Sequence, residues 1–297
     1  MSANELMAIT EPVTFWKMSG CGNDFVIIDN REDLIPEGAK GVFARNVCMP
    51  HLSLGADGVM FIERSRACHL RMRLFNPDAS EGEMCGNGAR CTALVAWRQG
   101  MAPRRMTFET RAGVVEAVVG SDSVAIRVPV GPAELVPLGE AVREVQQPGR
   151  GQERDWPDVG FFVPVGVPHL VIPLPDSHLL DRLDVEGLGR RIRSWDRFPQ
   201  GANVDFMARG GDRVRVRTYE RGVERETYAC GSGAVAAALV AESLGWVTSP
   251  VTISTRGGTL VVSREVQDER SVWLSGPVAT IAYGHLFRPA WLPHGPE

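Results

Sequence analysis

The chain has 297 residues, 44% hydrophobic and 23% charged, with a formal net charge of −4, which is room for two soluble domains with cores of their own. That charge offers no cationic field for a phosphate backbone, so no nucleic-acid partner is expected. No run approaches the ~20 apolar residues of a membrane span, and residues 1–12 lack the basic start and apolar core of an export signal, so no membrane role is expected either.

Strands are predicted at Thr14–Met18 and Phe25–Asp29, on either side of the turn Gly20-Cys21-Gly22. Asn30–Pro36 reads as a loop and Lys40–Cys48 as a helix; Gly58–Arg64 and His69–Asn76 alternate as strands. Pro77–Glu83 reads as a polar loop leading to Cys85. Ala89–Arg98 is apolar enough for a helix buried on most sides, stopped by Gly100 with Pro103 beyond. Strands follow at Arg105–Thr110, Val114–Val119 and Val124–Val128. Gly139–Gly160, rich in Gln, Gly and charge, reads as an exposed loop. The order then recurs: strands at Phe161–Pro164 and Leu170–Pro173, a helix over Val185–Arg193, strands at Val204–Ala208 and Arg213–Tyr219. The loop Glu220–Ala229 leads to a helix over Ala234–Leu244, then strands at Val251–Thr255, Thr259–Ser263 and Ser271–Leu274. The implied domains are 1–129 and 130–297.

The recurrence is written in the residues. Cys85-Gly-Asn-Gly-Ala-Arg-Cys-Thr-Ala-Leu-Val-Ala96 matches Cys230-Gly-Ser-Gly-Ala-Val-Ala-Ala-Ala-Leu-Val-Ala241 at eight of twelve positions, offset by 145. The same offset carries Thr107, Thr110, Arg111 and Gly113 onto Thr252, Thr255, Arg256 and Gly258. A duplication of this kind predicts an α/β fold of two pseudo-symmetric domains, each a mainly antiparallel sheet or barrel around a central helix. The active site is expected in the cleft between them.

Each copied cysteine opens a helix through Gly-x-Gly, where unpaired amides carry partial positive charge and glycines admit a ligand carboxylate. Such a place is expected to favour thiolate over thiol. One motif alone reads equally well as a tightly packed helix start. Two in register, both keeping cysteine, point to chemistry on opposite faces of one carbon: one thiolate takes an α-proton while the other thiol supplies one. Helix amides would stabilise the charge on the carboxylate, in place of a pyridoxal electron sink. The other cysteines (21, 48, 68 and 91) read as structural, Cys91 being aligned with Ala236. The absence of C-x-x-C argues against a zinc site, and six scattered cysteines are expected as reduced thiols in a cytoplasm. A thiol oxidoreductase and a non-catalytic amino-acid-binding protein are the readings from other classes.

Phe15-Trp-Lys-Met-Ser-Gly-Cys-Gly-Asn-Asp-Phe25, Phe75-Asn-Pro-Asp-Ala-Ser-Glu-Gly-Glu-Met-Cys-Gly-Asn-Gly-Ala-Arg90, Pro168-His169, Asn203 and Tyr219-Glu-Arg-Gly222 through Ala229-Cys-Gly-Ser-Gly233 together resemble the diaminopimelate epimerase family. The resemblance implies a cofactor-independent, metal-free epimerase of LL- and meso-diaminopimelate that forms a homodimer and whose last strand crosses back to the first domain. It implies Cys85 and Cys230 as the acid–base pair. Gly86, Asn87, Gly231 and Ser232 would hold the reacting carboxylate, with Asn23 nearby. Asn76, Asn203 and Arg221 would read the distal end of the substrate, a guanidinium being suited to a bidentate grip on a carboxylate. Glu220 and His169 would tune the thiols and bind the substrate ammonium. Val167 stands where the family commonly has Asn, which leaves a racemase of another amino acid as the same-scaffold alternative.

Overall fold

Alternation of β-branched and polar residues becomes strand nearly everywhere it occurs in the computed structural model, which describes residues 3–139, 156–265 and 267–292. The chain forms two compact units, Met1–Ile126 with Gly276–Glu297, and Arg127–Ser275.

The first unit carries β1 (Val13–Gly20), β2 (Asn23–Asp29), β3 (Gly58–Glu63), β4 (Leu70–Phe75), β5 (Glu81–Gly82), β6 (Arg105–Thr110), β7 (Gly113–Val119) and the start of β8 (Val124–Pro129). Its helices are α1 (Ala3–Met7), α2 (Lys40–Val47) and α3 (Gly86–Arg98). The second unit carries β9 (Glu134–Pro137), β10 (Val159–Val165), β11 (Val167–Pro173), β12 (Asn203–Gly210), β13 (Arg213–Glu220), β14 (Arg225–Thr227), β15 (Val251–Thr255), β16 (Gly258–Arg264) and nearly all of β17 (Ser271–Gly276). Helices α4 (Ser177–Arg182), α5 (Val185–Arg193) and α6 (Gly231–Ser243) belong to it. The remaining strand, β18 (Ala279–Leu286), returns to the first unit and pairs with β1.

The duplication is exact enough to follow strand by strand. In the first unit β1–β2 is antiparallel, β2–β3 parallel, β3–β4 antiparallel and β4–β6 parallel. In the second, β10–β11, β11–β12, β12–β13 and β13–β15 repeat those senses in that order. The short strands β5 and β14 hang antiparallel on β4 and β13. β18 supplies to β1 what β9 supplies to β10, an antiparallel neighbour.

Each unit wraps its sheet around one helix. Helix α3 packs on β1, β2, β3 and β7; α6 packs on β10 to β13, β15 and β16. Small residues make this possible: Ala234 to Ala238 along α6 are all fully buried, because alanines let strands approach on every side. A second layer lies outside each sheet. In the first unit Phe43, Phe61, Phe75 and Trp291 stack into a core with Ile28 and Val59, and in the second Leu170, Phe206 and Tyr219 meet Leu180 and Ile192.

Three differences from the sequence reading have plain causes. Strands β5 and β14 lie inside stretches read as loops, being too short to show a period. Helix α4 begins where Asp176 accepts a hydrogen bond from Leu179 N at 2.8 Å, an N-cap signal ahead of only six helical residues. Most of the stretch Gly139–Gly160 lies outside the described residues, but Gly160 itself is in β10.

Candidate active site

Cys85 and Cys230 occupy the same local structure. Each is the N-cap residue of its central helix in extended backbone, at φ −133°, ψ 121° and φ −101°, ψ 117°. Neither helix start carries a Ser, Thr, Asp or Asn cap; at the second the Gly233 amide reaches the Cys230 sulfur instead. Gly86 and Asn87 follow Cys85, and Gly231 and Ser232 follow Cys230, as the expected carboxylate-holding amides. Ser232 Oγ lies 3.4 Å from Cys230 Sγ.

Around Cys85 the polar groups form a chain. Arg90 Nη2 donates to Asn87 Oδ1 at 2.9 Å, Asn87 Nδ2 to Asn23 Oδ1 at 2.5 Å, and Asn23 Nδ2 to Asp57 Oδ2 at 3.1 Å. The chain fixes which way each amide faces, since Asp57 and Arg90 accept and donate at its two ends. Arg90 is wholly buried, and its Nε and Nη1 have no hydrogen-bond partner among the described residues. Cys21 Sγ stands 3.6 Å from Arg90 Nη2, in a tight turn where Cys21 itself takes φ +55°; burial pushes its thiol up despite the neighbouring guanidinium. Asn76 begins the loop 76–80, where its Nδ2 donates to Ser80 Oγ at 2.9 Å.

Around Cys230 the network is denser and acidic. His169, wholly buried, faces Asp205 Oδ2 through Nδ1 at 2.7 Å, and Asp205 Oδ1 accepts from Thr218 Oγ1 at 2.7 Å. Asn203 Oδ1 accepts from the Arg221 amide at 2.7 Å, which turns its Nδ2 toward His169 Nε2 at 3.3 Å. The ring is therefore the neutral Nδ1–H tautomer. Both nitrogens are engaged, so His169 supports Asn203 and leaves no ring nitrogen for a ligand. Arg221 Nη1 donates to Gln200 O at 3.1 Å.

The helix-end argument alone favours a thiolate at Cys230. The surroundings reverse it: burial pushes this thiol well up, and the Glu220 and Asp205 carboxylates push the same way, against the Ser232 hydroxyl and the Gly233 amide. Desolvation of a buried sulfur outweighs a fraction of a charge at a helix terminus. Cys85 is half-buried, and the Asp57 carboxylate that ends its hydrogen-bond chain is reached only through Asn87 and Asn23.

Asp57, Arg90 and Asp205 were not singled out by motif. The signal for Asp205 was present: an acid inside the apolar run Asn203-Val-Asp-Phe-Met-Ala208 must find a buried partner. Among the described residues no three His, Cys, Asp or Glu side chains gather as a metal would need, and no helix is long and apolar enough to cross a membrane.

The diaminopimelate epimerase family model matches residues 15–136 and 161–281, one segment in each repeat. Proteins named diaminopimelate epimerase are similar over most of the chain. The one from Methanothrix thermoacetophila is 41% identical, covering 91% of this chain and 94% of its own. The one from Methanocella arvoryzae is 39% identical, covering 92% and 96%; that from Aquifex aeolicus is 38% identical, covering 92% and 97%. Among solved structures, a Bacillus anthracis phenazine biosynthesis protein of the PhzF family superposes with a TM-score of 0.74 at 15% identity, covering 94% of this chain and all of its own. A hydroxyproline epimerase from Agrobacterium vitis gives 0.60 at 16% identity, covering 93% and 91%. These last two are similar in fold alone.

Proposed function

Because this chain belongs to the diaminopimelate epimerase family, we propose that it interconverts LL- and meso-2,6-diaminopimelate by inverting one α-carbon, in lysine and cell-wall precursor synthesis. Cys85 and Cys230 approach that carbon from opposite faces. One enters as thiolate and removes the α-proton while the other, a thiol, delivers its own proton to the far side. The C–H bond that breaks and the C–H bond that forms leave the total charge unchanged, and the two sulfurs exchange roles. The raised Cys230 thiol suits it to enter as the acid.

Carbanion character is offset at the α-carboxylate. Amides of Gly86, Asn87, Gly231 and Ser232, with Asn23, would receive the charge that grows on its oxygens. Asn76, Asn203 and Arg221 would hold the distal amino-acid end, with Arg221 opposing its carboxylate. Glu220 would keep Cys230 protonated and take the substrate ammonium, while His169 braces Asn203 from below. Pyridoxal phosphate and metals have no part in this scheme. Val167 replaces a polar contact with an apolar one, so the distal grip rests on the remaining groups.

The observation that carries the reading is the duplicated N-cap cysteine, each standing where a helix start would carry Ser, Thr or Asp and followed by glycine. The test is α-deuterium uptake from D2O across an amino-acid panel, without added pyridoxal phosphate. Diaminopimelate should exchange and epimerise, and C85A and C230A should each lose turnover. Full turnover by either variant removes the two-thiol mechanism, and exchange confined to another amino acid removes the substrate.

A cytoplasmic homodimer completes the proposal. The outer face of β18 exposes Ile281 and Tyr283, with Phe287 beyond, and Tyr283 lies 5.6 Å from the Trp16 ring. A second copy covering this face would remove large apolar groups from water. Sedimentation of wild type against Y283D checks it: a dimer that the charge dissociates is expected.

A further inference from the structure

Four residues before each active-site cysteine stands a glutamate held by two arginines. In the first unit Arg73 grips Glu81 side-on, Nε to Oε1 at 2.7 Å and Nη2 to Oε2 at 2.9 Å. In the second, Arg217 grips Glu226 in the same way, at 2.7 Å and 2.7 Å. A second arginine reaches in from the following hairpin. Arg111 Nη1 donates to the Glu81 carbonyl at 3.0 Å and lies 3.9 Å from its carboxylate, and Arg256 Nη1 lies 3.1 Å from Glu226 Oε2. Those hairpins are duplicates too: Thr110 Oγ1 donates to Gly113 O at 2.7 Å and Thr255 Oγ1 to Gly258 O at 2.8 Å.

The surroundings are not duplicated. Between Phe75 and Glu81, which pair across β4 and β5, lie residues 76–80; between Tyr219 and Glu226, which pair across β13 and β14, lie residues 220–225. The loops differ in length and in nearly every residue. The free side of Arg73 is taken by Glu37, at 2.5 and 2.8 Å, whereas Arg217 gives Nη1 to the carbonyls of Leu180 and Leu183 at 2.7 and 3.1 Å. The shared feature of two divergent stretches is the grip on the glutamate.

Stability alone gives little reason for that persistence. A partly buried ion pair returns little more than its desolvation costs, and an apolar replacement serves a fold as well. Geometry gives a better one. The strands entering each cysteine are two and three residues long, the helix starts carry no Ser, Thr, Asp or Asn cap, and proton transfer tolerates little misplacement of sulfur. We propose that Glu81 and Glu226 are positioning residues, one for each thiol, and that their arginine clamps fix where Cys85 and Cys230 sit. The inference rests on the two-cysteine reading above.

The test is E81Q and E226Q, each keeping the shape of the side chain and losing the charge. Iodoacetamide alkylation is followed by mass spectrometry at both cysteines, beside steady-state turnover. Each variant should lose about 10-fold in kcat with less than about 3-fold change in KM, the size of effect that a sub-ångström shift of a reacting group produces. Alkylation should change at Cys85 alone in E81Q and at Cys230 alone in E226Q. A role in folding would instead lower the unfolding temperature and alter both cysteines together, which overturns the proposal, as does wild-type behaviour in both. Should either variant fail to fold, R111Q and R256Q loosen the same glutamates from exposed positions, with the same cysteine-specific pattern expected and the same contrary results decisive. Inactive C85A and C230A beside unaffected glutamine variants would refute the clamp alone; active cysteine variants would refute the reading beneath it.

Discussion

Alanine at the second motif glycine should be costly in one repeat and tolerated in the other. Gly88 and Gly233 are equivalent by the offset of 145, three residues after each cysteine. A Cβ at Gly233 overlaps Asp205 Oδ1 and lies 3.1 Å from both Asp205 Cγ and Thr218 Oγ1. Asp205 cannot step aside cheaply: it is wholly buried and held by His169 and Thr218. Hydrogen bonds to a charged group are worth about 1.5–3 kcal/mol each, so losing one and straining the other costs about 3–5 kcal/mol. Alanine in a helix returns about 1 kcal/mol over glycine, leaving a net loss of about 2–4 kcal/mol. At Gly88 the overlap is with Met60 Cε, the free end of an unbranched side chain. Overpacking there costs about 1–2 kcal/mol, which the same helix gain nearly cancels.

At about 3 °C per kcal/mol for a unit of this size, G233A should lower the unfolding temperature by about 10 °C and G88A by less than about 3 °C. Differential scanning calorimetry measures both. Turnover at 25 °C, where both variants remain folded, should fall further in G233A, because His169 and Asn203 lose their brace. Equal shifts, or a larger one for G88A, would show that the Asp205 network does not constrain the Cys230 helix.

Replacing the acceptor at the centre of that network, D205N should cost about 3 kcal/mol by urea unfolding, since an amide cannot accept from both His169 and Thr218, whereas T218V should cost about 1 kcal/mol. Burial pushes the Cys91 thiol up to about 12 from an unfolded value of 9.0. Above pH 9 the unfolded chain therefore holds fewer protons than the folded one, and stability falls with rising pH by about 1.4 kcal/mol per pH unit for this thiol until pH 12. C91A, which copies Ala236 of the other repeat, should flatten that alkaline slope in unfolding curves at pH 9 and 11; an unchanged slope would mean the thiol ionises in the fold. Because Glu220 helps to raise Cys230, E220Q should move the pH profile of Cys230 alkylation to lower pH, and an unmoved profile would separate the two groups.

Periodicity was enough to read most of the architecture. Arg105–Thr110, Val185–Arg193 and Val251–Thr255 match the observed elements residue for residue, since each is long enough to show its repeat and ends at a turn signal. The cysteine motifs stood out for the same reason, as local text. What stayed hidden depends on partners far apart in the chain. His169 and Asp205 are 36 residues apart, and nothing in either neighbourhood names the other. The arginine clamps were concealed differently. A fixed offset of 145 sets Arg73 against Thr218, because the loop 220–225 is one residue longer than its counterpart; only the strand pairing restores Arg217 to its place.

The return of β18 to the first unit orders events during synthesis. The second unit is built from residues 127–275, whereas β1, paired with β2 on one side, lacks its other antiparallel neighbour until residues 279–286 emerge. Trp291 closes the same region later still: it is wholly buried, its carbonyl accepts from Asn46 Nδ2 at 2.8 Å, and its indole donates to Leu6 O at 3.3 Å. The half that leaves the ribosome first is thus the half that finishes last, with an open sheet edge exposed in the interval. Chains stalled near residue 276 are expected to yield a protease-resistant fragment from the second unit and a digestible first one; equal resistance would show that the leading half closes without its final strand.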